Sequence, residues 1–104
     1  MKHSLYALLL SFICLPVFAD AVWIDVRSAD EFAGGHVQEA INIPHTDIGA
    51  KIAAVSADKN QEIKLYCRSG KRAGMAKQTL EQMGYTNVTN VGGYEEAKIE
   101  ASRE

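Results

Sequence analysis

Cysteine is scarce in this chain: the sequence of 104 residues holds 2, Cys14 and Cys67, and no Cys-x-x-Cys pair. Disulfide scaffolds and zinc-cluster modules are excluded, because each needs several thiols at short spacing. His36 and His45 stand in no recognised ligand spacing with Cys67, so neither a metal nor a metal cofactor is expected. Each reads as a structural or surface histidine rather than a general base. An excess of basic charge is also missing: the formal net charge is −2, which argues against a general nucleic-acid or membrane-surface partner. No linker, low-complexity segment or internal repeat divides the chain, so a single domain is expected.

Long apolar runs are lacking except at the start, where Lys2 and His3 precede SLYALLLSFICLPV and the small-residue pattern Val17-Phe18-Ala19 follows. This order of basic, apolar and small residues predicts a secretory signal over residues 1–19, cleaved to leave a domain over 20–104. Cleavage after Ala21 fits the same rule. The run is short for a bilayer and is broken by Ser11 and Pro16, so no membrane association is expected after cleavage. Cys14 leaves with the signal and Cys67 becomes the lone thiol of an exported protein. A leftover thiol in an oxidising compartment points to a partner or to reactivity.

What remains alternates between strand and helix patterns. AVWIDV reads as a buried strand, and Ser28-Ala29-Asp30-Glu31 supplies a capping box for a short helix. AINIP, Ala40 to Pro44, reads as a second strand stopped by proline, and Ile48, Ile52 and Val55 then fall at helical spacing. EIKLYC makes a third strand, and Ala73, Ala76, Leu80 and Met83 follow on one helical face, closed by Gly84. Met75 and Met83 are expected in the core. A last strand around Asn87 to Val91 and a Gly92-Gly93 turn lead to a charged tail that forms a terminal helix or frays. The alternation predicts an α/β domain with a mostly parallel central sheet flanked by helices on both faces, and sites in such sheets lie at the carboxyl ends of strands.

Cys67 falls at such an end, in YCRSGKRAG. The residues Arg68, Ser69, Gly70, Lys71 and Arg72 must turn the chain from strand to helix, and Gly70 permits backbone angles closed to other residues. A loop of this kind at a helix N-terminus turns backbone N–H groups inward, binds anions and favours a thiolate over a thiol. Three basic side chains add positive charge. Cys67 is therefore the candidate nucleophile, and Arg68 to Arg72 the candidate anion cradle. Asp25 and Arg27 flank Val26 and read as structural ion-pairing residues, with Glu31 as a further partner for Arg27.

VWIDVRSADEFAGGHVQEAINIP, then YCRSGKRAG, then LEQMGYTNVTNVGGY together resemble a single-domain rhodanese, a thiosulfate sulfurtransferase, over nearly all of residues 20–104. The resemblance implies that Cys67 cycles between thiolate and persulfide, with Arg68 to Arg72 as the loop around the sulfur. It implies no cofactor, a small-molecule donor (thiosulfate), a thiophilic acceptor, a monomer and a periplasmic location. Three departures stand out: Glu39 where glycine is usual, Ala73 where serine often follows the loop arginine, and Tyr94 without the common downstream tryptophan. Two rival readings stay open. One is a persulfide carrier with little turnover. The other is a cysteine phosphatase, whose loop is one residue longer and whose cysteine follows a histidine instead of a residue such as Tyr66.

Overall fold

A computed structural model describes residues 20–104, so the leader expected over residues 1–19 lies outside the described residues. Four strands form: Val22–Asp25 (β1), Ile41–Asn42 (β2), Ile63–Cys67 (β3) and Val88–Gly93 (β4). They alternate with Ala29–Ala33 (α1), Ile48–Val55 (α2), Lys71–Gln82 (α3) and Tyr94–Ala101 (α4). The strands lie side by side in the order β2-β1-β3-β4, and every pairing is parallel. Parallel neighbours require a long crossover between them, which is why each strand is followed by a helix.

Strand alternation sorts the side chains between two cores. Ile24, Val26, Ile63, Leu65 and Cys67 face a cluster with Ile48 and Ile52 of α2 and Ala73, Ala76 and Leu80 of α3. Trp23 and Tyr66 point the other way, toward Val37 and Ala97, with Phe32 and Tyr94 packed alongside. Helices therefore cover both faces, as the alternating pattern predicts. The capping box of α1 is formed: Ser28 Oγ accepts from the Glu31 N–H at 3.2 Å, and a Glu31 carboxylate oxygen accepts from the Ser28 N–H at 3.0 Å. Gly84 follows α3 in a left-handed conformation with φ 100° and ends it as expected.

Several expectations change. Met75 and Met83 are 45% and 37% exposed, because Ala73, Ala76 and Leu80 already make the inner stripe of α3, and the helix ends before Met83. Gly92 and Gly93 do not form a turn but complete β4, opposite Tyr66 and Cys67, after a register shift that leaves Val91 as the extra residue. The charged tail is a helix, α4, whose Glu100 carboxylate accepts from the buried Lys64 ammonium at 2.9 Å. Around Glu39 a turn still closes, with the Ala40 N–H donating to the Val37 carbonyl at 2.9 Å.

Candidate active site

Cys67 is the last residue of β3 and only 1% of it is exposed. Its alternation along the strand aims it toward the α3 side of the sheet, where the chain must turn at once to begin that helix. Arg68 and Ser69 are exposed, Gly70 is left-handed with φ 99°, and Lys71 opens α3. The turn brings the Gly70 N–H within 3.0 Å of Cys67 Sγ. Burial pushes the thiol pKa up. The backbone N–H groups of Ala73, Gly70, Ser69 and Arg72 more than reverse that push, so the thiol ionises below its ordinary range. The positive end of a twelve-residue helix lies at the same place. The site thus favours a thiolate by backbone geometry, in a position that also suits other anions.

The loop's basic side chains divide between two tasks. Arg68 and Lys71 are exposed and make no ion pair among the described residues. Arg68 lines a cleft of about 470 Å³ together with Arg27, Glu31, Tyr94, Glu95 and Glu96. Arg72 engages Glu31 with its guanidinium, donating to the two carboxylate oxygens at 2.8 and 3.1 Å. Glu31 therefore pairs with Arg72 and not with Arg27 as the sequence suggests. As the third residue of α1 it is held at the cap by Ser28, facing the loop. Arg72, with the cap bonds next in effect, lowers the Glu31 pKa to about 2.

Beneath the cleft lies a buried polar network that strand spacing alone conveys only in part. Arg27 Nη2 donates to Asp25 at 2.7 Å and to the Gly35 carbonyl at 2.7 Å, and its guanidinium carbon lies 4.7 Å from the centre of the Tyr94 ring. Tyr66 donates its hydroxyl to Asp25 at 2.8 Å and accepts the Val37 N–H at 3.0 Å. Burial raises the Tyr66 pKa, so the phenol stays protonated and remains a donor. Tyr66, Asn90, Gly93 and Tyr94 support the site and were not apparent as such from their spacing. The Gly92-Gly93 pair was the one available signal. A Cβ on Gly93 would collide with the Arg68 carbonyl and come within 2.8 Å of Glu96 Oε1. The end of β4 therefore presses its bare backbone against the cysteine loop.

Neither His36 nor His45 approaches this chemistry. His36 stacks on Phe32 with ring centres 3.6 Å apart and its Nδ1 lies 2.8 Å from the Phe32 carbonyl; His45 begins a single 3₁₀ turn. Among the described residues no group of three or more His, Cys, Asp or Glu side chains is placed to hold a metal ion.

Comparison with known proteins agrees with this geometry. A family model described as "Rhodanese-like domain" matches residues 17–100. The chain is 49% identical over 92 residues to the Thiosulfate sulfurtransferase PspE of Escherichia coli (strain K12), covering 88% of each. A solved structure described as "rhodanese with anions from E. coli" superposes with a TM-score of 0.72 at 44% identity, covering 74% of this chain and 91% of that one. The human single-domain sulfurtransferase TSTD1 superposes with a TM-score of 0.66 at 30% identity, covering 90% of this chain and 88% of that one.

Proposed function

The chain belongs to the rhodanese-like domain family, and on that premise we propose that it is a thiosulfate sulfurtransferase working through a persulfide on Cys67. The observation that carries this reading is a buried thiol at the end of β3 whose ionised form is favoured by the backbone N–H groups of its loop. The Cys67 thiolate attacks the outer sulfur of thiosulfate. A new S–S bond forms, the S–S bond of the donor breaks, and sulfite leaves with the electron pair. Cyanide or a thiolate then attacks the outer persulfide sulfur, takes it, and returns Cys67 to the thiolate. No step needs a metal or a cofactor.

Each loop residue has a part in this scheme. The N–H groups of Ser69, Gly70 and Arg72 stabilise the sulfur anion before and after transfer, while exposed Arg68 and Lys71 draw in the dianionic donor. Arg72 contributes its backbone, since its guanidinium is held by Glu31. That engagement also counts against phosphatase chemistry, in which the loop arginine must clamp a phosphate beside the cysteine. The domain acts as a monomer on small molecules. Its leader, residues 1–19, sends it across the inner membrane to the periplasm and is then removed.

The test is intact-mass measurement of the reduced protein with thiosulfate, before and after cyanide, with Cys67→Ser alongside. One sulfur atom should be gained by the wild type, removed by cyanide, and never gained by the serine variant. Sulfur loading by Cys67→Ser, or none by the wild type, overturns the assignment. Loading without steady production of thiocyanate would replace the enzyme with a sulfur carrier.

A further inference from the structure

Gly70 is the pivot of the cysteine loop, with φ 99° and ψ −10°, and its N–H is the one 3.0 Å from the sulfur. Glycine reaches this conformation without strain, but it visits the opposite sign of φ as readily. Selection of one state must come from outside the residue. As the residue preceding α3, Gly70 also has no side chain with which to cap the helix, so the usual local device for fixing a helix start is missing.

The missing restraint comes from the neighbouring strand. The Gly70 carbonyl accepts the Gly74 N–H at 2.9 Å, in the first turn of α3, and a second donor, Asn90 Nδ2, also at 2.9 Å. The Asn90 Oδ1 accepts the Gly92 N–H at 2.9 Å. Asn90 is the last residue of β4 before the register shift, opposite Leu65, and Gly92 beyond it is left-handed with φ 108°. One side chain therefore spans from the irregular end of β4 to the pivot of the loop. The fit is close, because a Cβ added to Gly70 would lie 3.3 Å from Gly92 Cα and 3.7 Å from Asn90 Oδ1.

We propose that Asn90 is a positioning residue for sulfur transfer, bracing Gly70 in the left-handed conformation that aims its N–H at Cys67. Asn90 does not touch the sulfur; it acts through the peptide that does. The side chain is exposed, so water replaces its bonds at small cost and the fold does not depend on it. Its effect falls on the ionisation and reactivity of Cys67. The bracing is a property of the loop, whereas its consequence for turnover rests on the sulfurtransferase reading above.

Asn90→Ala and Asn90→Asp in the domain over residues 20–104, where Cys67 is the only cysteine, separate these points. The rate of Cys67 alkylation by iodoacetamide, followed against pH, reports the thiolate directly, and persulfide loading from thiosulfate is measured in parallel. In Asn90→Ala the midpoint of the alkylation profile moves to higher pH, and loading at neutral pH falls ~10-fold, a smaller loss than deleting a donor that touches the anion itself. At pH above the new midpoint, alkylation returns to the wild-type rate. Asn90→Asp moves the midpoint further, because a carboxylate still accepts from Gly92 but cannot donate to Gly70 and sets negative charge beside the loop. Its near-identical shape decides the matter if the alanine variant does not fold. Unchanged alkylation midpoints in the folded variants overturn the proposal. If the wild type takes no sulfur from thiosulfate, the sulfurtransferase reading falls while the alkylation profiles still decide the role of Asn90.

Discussion

On the face of the sheet covered by α2 and α3, Ile24, Ile63 and Leu65 meet Ile52 and Leu80, and among the described residues no Asp, Glu, Arg or Lys is buried there. On the opposite face Asp25, Arg27 and Lys64 are buried beside Trp23 and Tyr66. Apolar contact is non-directional and holds the first face together by area alone. The second face is directional: Asp25 gathers Arg27 and Tyr66, while Lys64 and Trp23 meet the carboxylates of Glu100 and Glu104. The difference separates cohesion from placement. One face keeps the sheet and helices together; the other fixes where α4 lies, and with it the glycine end of β4 that presses on the cysteine loop.

Neighbouring residues of β1 provide the sharpest contrast. Asp25→Asn removes the charge that Arg27 needs and leaves a buried guanidinium uncompensated, so urea denaturation should show a loss of about 3–5 kcal/mol. Ile24→Val, one position away on the apolar face, removes a single methylene group and should cost about 0.5–1.5 kcal/mol. Equal losses in the two variants would erase the distinction between the faces.

The smallest effect at neutral pH belongs to Glu31→Gln. The Arg72 pair is partly open to water, and its loss should lower stability by less than about 1 kcal/mol. Its signature is the pH dependence. With Arg72 holding the Glu31 pKa down to about 2, the folded state keeps this carboxylate ionised where the unfolded chain would protonate it. The stabilisation is complete above the usual carboxylate range and disappears as pH falls through that range toward 2. Thermal melts of wild type and Glu31→Gln should therefore differ most near neutral pH and converge in acid. A constant difference across that range would show that the charge of Glu31 contributes nothing through its pairing with Arg72.

The sequence by itself determined the order of elements, because local periodicity, the Ser28–Glu31 capping box and the glycine after α3 act over a few residues. It marked Cys67 as the candidate nucleophile for the same reason: a lone thiol between a strand and a helix, followed by Gly70, carries its consequence in adjacent peptide groups. It conveyed the burial of Ile24 and Leu65, but it placed Met75 and Met83 inside when three small or apolar residues already filled that side of α3. The tertiary structure alone decided the partners. Glu31 lies 41 residues from Arg72, as Asp25 does from Tyr66, and only packing of the elements between them determines which acid meets which donor. Asn90 reached Gly70 for the same reason, across a register shift that no local pattern specified. Short-range geometry is written in neighbouring residues, whereas the choice among long-range polar partners is made by the burial of everything else.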